Sequence, residues 1–461
     1  MFKKFVSLFL TAVMIICASL SLTSCGSKTP EYEQKELNLM GFYSPYDISE
    51  EGLKLYKDVG FNILSMGNVA TADWSSDTTY YLGSNLTMET LKACKKADLD
   101  VILIYNDWLA ERIEGEDFLG DKPFSKNDIY GEYKDIIKGI HIVDEPNIQH
   151  ISQYSKPSMI EDFKKVYPDA LYVANLMPRQ FIGNLDYESY DQMMQLYEEN
   201  FMKPFDKPYI SVDVYPYRES KYNTAEIVSN YNIIAKSAKK FGIKPAFILQ
   251  SGAGGDEKFV DMGEGELRQE INAALAYGAD TLQYYCYAVP RIFNADGTTS
   301  DMYKYCILNP DNTPSPIYYH LQKIHKEIQS YASVILSYDW DKTIGTSGYE
   351  KTSYSVASVE YDQEFKNEKF DNAKYYVSAK STRDLLISRF ESEEYGEAYM
   401  FVNFADKDES TTAEIEFKDC ESVRIYGKNG FDGTPETVKL ENGKLNLNLE
   451  YGEGAFVVPV A

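Results

Sequence analysis

Gly139-Ile140-His141-Ile142-Val143-Asp144-Glu145-Pro146-Asn147 sets a short apolar run directly against two carboxylates and a proline. A run of this length rich in β-branched residues reads as a buried strand. Its abrupt polar ending reads as a strand terminus that meets solvent or a ligand. Pro146 biases the residue before it toward extended geometry. Asp144 and Glu145 are therefore expected to point in different directions, one toward a cleft and one toward a partner at its rim.

The same texture recurs on either side. Candidate strands are read at 38–43, 61–66, 100–105, 139–144, 171–176, 209–214, 245–250 and 281–286. Apolar residues at helical spacing fill the gaps at 48–59, 88–97, 159–166, 186–201, 225–241 and 266–277. Gly60, Gly242 and Gly278 stand just past three of these helices, where a left-handed residue is expected. Eight alternating units imply an α/β fold, a (β/α)8 TIM barrel over residues 37–340. A doubly wound sheet is the alternative. It lacks support because Gly252-Ala253-Gly254-Gly255 is not followed by the residues of a phosphate loop. After a helix at 314–336 the pattern changes to short β-rich stretches at 352–360, 384–391, 396–403, 411–417, 421–427, 436–440, 443–449 and 455–460. These predict a C-terminal all-β sandwich domain over 341–461, with 362–374 a solvated loop.

The N-terminus reads as an address. Lys3 and Lys4 precede an apolar run from Phe5 to Leu20, and Leu22-Thr23-Ser24-Cys25-Gly26 resembles a bacterial lipobox. The expectation is a signal peptide over 1–24 and a lipid anchor on Cys25 at the extracytoplasmic membrane face. Residues 25–36 then serve as a flexible tether. The 461-residue chain has 71 acidic against 46 basic residues and a net charge of -25, which excludes a nucleic-acid binder built on clustered Lys and Arg. Four histidines and widely spaced cysteines exclude a multi-His zinc site and a dense disulfide framework. The cysteines are read as buried free thiols; the alternative, for an exported chain, is one oxidised pair, and Cys286 with Cys306 are the nearest in sequence. No motif calls for a metal or cofactor. The stretch Asn294–Asp301 departs from calcium-loop spacing and reads as a turn.

In a barrel the chemistry sits at the carboxyl ends of the strands. Those ends supply Tyr43, Asn68, Asp107, Trp108, Asp144, Glu145, Asn175, Asp213, Tyr215, Tyr217, Gln250 and Tyr285. Aromatic faces stack on the C–H faces of sugar rings, and amides and carboxylates bond to hydroxyls. The set therefore suits a carbohydrate, although Tyr at strand ends also serves packing. His141, in mid-strand, is read as packing the barrel interior. Glu145 is the candidate general acid, protonating a glycosidic oxygen. Asp213 is the candidate second carboxylate. The alternatives for it are Asp107, Asp144, Asp256, Glu257, Glu264 and Glu266.

Asp144-Glu145-Pro146, Asp213-Val-Tyr-Pro-Tyr217 and Glu266-Leu-Arg-Gln-Glu270 ahead of Ala274-Leu-Ala-Tyr-Gly-Ala-Asp280 resemble the retaining glycoside hydrolase barrels. The resemblance spans the barrel at the level of pattern. It implies that Glu145, at the position of the Glu in an Asn-Glu-Pro strand end, is the acid/base. The sequence departs from that family twice. Asp144 replaces the usual Asn, and Gln250 stands where the nucleophilic Glu is expected. A retaining enzyme holds its two carboxyls about 5–5.5 Å apart and an inverting one about 6.5–9.5 Å. Three functions follow as expectations: a surface-anchored glycosidase, a glycan-binding barrel without turnover, and a solute-binding lipoprotein with two hinged lobes.

Overall fold

The computed structural model describes residues 30–42, 45–65, 84–104, 131–293, 298–346, 348, 369–428 and 433–460. Eight parallel strands form one sheet: β1 (Asn38–Phe42), β2 (Ile63–Ser65), β3 (Asp100–Ile104), β4 (Ile137–Asp144), β5 (Leu171–Leu176), β6 (Ser211–Asp213), β7 (Ala246–Gln250) and β8 (Thr281–Tyr285). The order is sequential and returns from β8 to β1. Asn62 bridges the seam between β1 and β2. Its backbone N–H donates to the Leu39 carbonyl (3.1 Å), and its side chain bonds Leu39 N and Leu37 O, both at 2.9 Å. The sheet is thus a barrel, as the repeat implied.

Strand alternation splits the core into two faces. Met40, Ile63, Ile102, Val173 and Ala246, with Tyr209 just before β6, form a buried cluster inside the barrel. Leu39, Leu64, Val101, Ala174, Val212, Phe247 and Leu282, out of phase with these, pack on the helices outside. Those helices are α1 (Glu50–Asp58), α2 (Ser84–Ala97), α3 (Ile148–Tyr154), α4 (Pro157–Val166), α5 (Tyr190–Tyr197), α6 (Thr224–Lys240), α7 (Glu264–Ala276) and α8 (Pro316–Ser330). Ser49 caps α1 by accepting from Gly52 N, and Ser189 caps α5 by accepting from Gln192 N. The helix expected over 186–201 therefore starts at Tyr190, and it continues as a π turn over Glu198–Met202. Gly60, Gly242 and Gly278 have φ of 104°, 67° and 80°, the left-handed conformation expected of them. The helix expected over 314–336 is two pieces, Pro316–Ser330 and Ala332–Ile335.

The C-terminal part is a β-sandwich. Its six-stranded sheet orders β9 (Asp339–Thr346), β11 (Leu385–Ser392), β12 (Gly396–Asn403), β17 (Gly454–Val460), β14 (Ser422–Tyr426) and β15 (Glu436–Lys439). A three-stranded sheet orders β10 (Tyr376–Ser381), β13 (Thr411–Phe417) and β16 (Lys444–Leu449). Leu385, Ile387, Tyr399, Phe401 and Val457 face the smaller sheet. The alternate residues Leu386, Met400, Val402, Phe456 and Val458 join the barrel's outer core. The strands β11, β12 and β17 of the larger sheet are therefore buried on both faces over most of their length, which explains their long apolar runs. Strands β9 and β10 were not expected from the sequence, and the expected strand at 352–360 lies outside the described residues. At the other end, the stretch read as a tether is docked from Tyr32 onward. The Tyr32 ring lies 4.6 Å from that of Tyr395, and Lys35 N donates to Ser333 Oγ at 2.9 Å.

Candidate active site

The site begins with an irregularity in β4. His141 pairs with Val173 of β5, but Val143 pairs with Ala174 and Asp144 with Asn175, so one residue is extra between His141 and Val143. Simple alternation from the inward His141 would turn Asp144 outward. The bulge restores it to the interior face beside Asn175. The next residue, Glu145, has φ +44° and donates its backbone N–H to the Asn175 carbonyl at 2.9 Å. This corrects the extended geometry expected before Pro146. A non-glycine residue held in the left-handed region is strained by roughly 1–3 kcal/mol and persists only where its surroundings enforce it. Here the enforcing bonds flank it. The Tyr187 hydroxyl donates to the Pro146 carbonyl at 2.6 Å, and Asn147 caps α3 by accepting from His150 N at 2.8 Å.

Asn175 is the hub. Its Nδ2 donates to Asp213 Oδ1 at 2.8 Å and to Asp144 Oδ1 at 3.2 Å, while its Oδ1 accepts from Ser211 Oγ at 2.9 Å. One amide therefore ties β4, β5 and β6 together and orders two carboxylates. Ser211, two residues before Asp213 on the same strand face, was not singled out from the sequence. The period of two is the signal that could have found it.

Three carboxylates crowd this spot, with different access to water. Asp213 is buried, Glu145 is partly buried and Asp144 is exposed. Burial pushes Glu145 up to about 7, helped by the charge on Asp144. Burial also raises Asp213 well above the carboxylate range, the charges of Glu145 and Asp144 add to the rise, and the Asn175 amide opposes it. Glu145 and Asp213 thus both hold their protons more tightly than free carboxyls, through burial and the neighbouring carboxylate charges. The Asn175 amide opposes the rise at Asp213 but does not cancel it. His141, inward-facing and buried, is pushed down by desolvation and stays neutral. Its Nε2 lies 3.1 Å from the Val143 carbonyl, so it packs the interior as expected.

An aromatic wall adjoins the carboxylates. Tyr215 stacks on Tyr285 with centroids 5.2 Å apart, and Phe42 lies 6.1 Å from Tyr285 and 5.8 Å from His141. The Tyr303 hydroxyl donates to Glu257 Oε2 at 2.8 Å and lies 3.4 Å from the Tyr285 hydroxyl. Tyr303 was not foreseen, since it comes from a loop after β8 rather than from a strand end.

The described structure thus brings together Asp144, Glu145, Asn175, Asp213, Tyr215 and Tyr285. It does not bring Gln250 or Tyr217 to the cleft. Gln250 is fully buried, and its amide is engaged with the main chain of Tyr217, accepting from N at 3.0 Å and donating to O at 2.8 Å. Tyr217 is also buried and donates its hydroxyl to Gln269 of α7 at 3.0 Å. Tyr43, Asn68, Asp107, Trp108 and Cys25 lie outside the described residues. Glu266, one of the alternative second carboxylates, accepts from Gly263 N at the start of α7 and pairs with Lys407 at 3.2 Å. Among the described residues no group of three or more His, Cys, Asp or Glu is placed to hold a metal ion.

Neither a protein-family model nor a curated protein matches this sequence. Solved structures do match it in three dimensions. A catalytic mutant of a family 42 β-galactosidase from G. stearothermophilus aligns with a TM-score of 0.55 at 10% identity, covering 93% of this chain and 99% of that one. A family 5 glycoside hydrolase from Bacteroides vulgatus aligns with a TM-score of 0.50 at 12% identity, covering 92% of this chain and 88% of that one. With its eight-stranded parallel barrel and appended sandwich, the chain has the fold of the glycoside hydrolase (β/α)8 barrels.

Proposed function

We propose that the chain is a glycoside hydrolase acting on an extracellular oligo- or polysaccharide, anchored to the membrane through Cys25. The observation that carries this reading is the cluster of Glu145 and Asp213 with Asp144 at the barrel mouth, in which burial raises Glu145 and Asp213, the Asp144 charge adds to both, and Asn175 orders Asp213. Glycosidic cleavage needs one carboxyl that delivers a proton and one that is ionised. Glu145, the more accessible of the two, delivers its proton to the leaving oxygen. Asp213, accepting from Asn175, is the second carboxyl; once ionised it would stabilise the cationic sugar or direct the nucleophile. Tyr215 and Tyr285 supply a stacking wall for the ring.

A second reading has its own observation. Gln250 occupies the position of the expected nucleophile and is bound to backbone, so a barrel that binds glycan without cleaving it also fits. Hydrolysis decides between them. The chain lacking residues 1–25 is incubated with a panel of glycans and aryl glycosides, beside Glu145→Gln and Asp213→Asn. The expected result is cleavage by the parent and losses of about 10²–10⁴-fold in both variants, the range for removing an acid or base. Cleavage lost in Glu145→Gln but retained in Asp213→Asn moves the second role to another carboxylate. Glycan binding without cleavage by the parent establishes the second reading.

A further inference from the structure

Two thiols meet behind the aromatic wall. Cys286 follows Tyr285 at the end of β8. Cys306 lies on the stretch of chain that returns after the hairpin Arg291–Phe293/Thr299–Asp301. Their Sγ atoms are 3.2 Å apart and both residues are fully buried. The main chain already holds the two segments side by side. Ile307 N donates to the Cys286 carbonyl at 3.2 Å, and Leu308 N donates to the Tyr287 carbonyl at 2.8 Å. Ser251 Oγ and Ser315 Oγ donate to the Cys286 and Cys306 carbonyls at 3.2 and 2.7 Å. Joining the sulfurs asks for the 3.2 Å separation to close to about 2.05 Å, between segments the main chain already holds together. Phe259, Val289 and Tyr303 close the cluster, with Tyr215 and Tyr285 at its edge.

We propose that Cys286 and Cys306 are joined by a disulfide in the mature protein, and that this bond fixes the aromatic wall of the cleft. The oxidant is a disulfide of a thiol-oxidising partner in the compartment where the chain folds. Each cysteine gives up its proton as the Cys286–Cys306 bond forms. The two electrons reduce the partner's disulfide to two thiols. Burial raises the Cys286 thiol, so the reactive thiolate is scarce once the protein is folded. Exchange therefore belongs to folding, before the loop closes over β8. The finished bond is then shielded from reductants by the same burial. The loop it ties down carries Tyr303, which contacts Glu257 and Tyr285. All four described cysteines are free thiols in the structure, and Cys94 and Cys420 lie outside this cluster.

The export proposed above bears only on where the oxidant is met, so the test is made independent of export and of catalysis. The full chain is unfolded, reduced and refolded in a glutathione buffer at the poise of an oxidising compartment. It is then denatured, alkylated and mapped by peptide mass spectrometry. The expected result is a cross-linked Cys286–Cys306 peptide, with Cys94 and Cys420 alkylated. Reductant is also expected to lower the melting temperature of the oxidised parent and to leave that of Cys306→Ser unchanged. Alkylation of both Cys286 and Cys306 in the refolded chain, or pairing of either with a different cysteine, overturns the proposal. The peptide map of the parent separates these outcomes even if Cys306→Ser does not fold.

Discussion

As the proposed acid, Glu145 has to carry a proton at the pH of the reaction, and desolvation beside Asp144 supplies the reason. The same shift links it to stability. Its ordinary value is 4.5 and its folded value about 7, so the folded chain holds this proton more tightly than the unfolded chain. The resulting stability is fully present below pH 4.5 and is lost as pH rises through 7. At roughly 1.4 kcal/mol per unit, the difference is on the order of 3 kcal/mol. Glu145→Gln removes the titration. In denaturant melts it is expected to be more stable than the parent above pH 7 and nearly equal to it near pH 4. Greater stability joined to lost hydrolysis would mark a residue kept for chemistry rather than for folding. A parent whose stability does not fall between these pH values would contradict the buried, raised carboxyl.

At the scale of elements, the turn from β4 into α3 holds Glu145 in its left-handed conformation. Asn147 accepts from His150 N, and its own N–H donates to His150 Nδ1 at 3.4 Å, so a seven-residue helix starts at a defined point. Helices this short owe little to intrinsic propensity, and their caps matter in proportion. Asn147→Ala is expected to cost about 1 kcal/mol in thermal or denaturant unfolding, the usual loss for an N-cap. Asn147→Asp, which keeps an acceptor, should recover most of it. The helix that Asn147 opens, over Ile148–Tyr154, was not expected from the sequence. Nor was the bulge at His141–Val143, because nothing in Gly139–Val143 says which residue is left unpaired. That depends on the partner strand.

For the whole molecule, the seam between barrel and sandwich is built around α7. Gln269 Nε2 and Asn272 Nδ2 donate to the Ala405 and Gly452 carbonyls, each at 2.9 Å. Arg268 forks onto Glu327 of α8 at 2.9 and 2.8 Å. Gly265 lets the sandwich approach, since a Cβ there would stand 2.1 Å from Tyr451 Cδ1. Two effects oppose each other in Gly265→Ala. Better helix propensity contributes about 1 kcal/mol, while overpacking a buried ring costs about 1–3 kcal/mol. Tyr451 is buried and has little room to move, so the clash wins and the variant is expected to melt below the parent. An unchanged or higher melting temperature would show that the two layers are not closely docked at this point.

The sequence by itself determined the alternation of eight strands and helices, the change to short β strands after the barrel, and the strand ends at which polar residues collect. These follow from local periodicity and turn chemistry, which neighbouring residues carry among themselves. It also singled out Glu145, because an apolar strand ending in two carboxylates is a local anomaly. Only the tertiary structure decided that Asp144, Asn175 and Asp213 share one amide, that Gln250 is spent on the Tyr217 main chain, and that Cys286 meets Cys306. Each of these depends on register between strands or on the return of a loop. Register and loop return are set by packing across the barrel, which no stretch of sequence contains on its own.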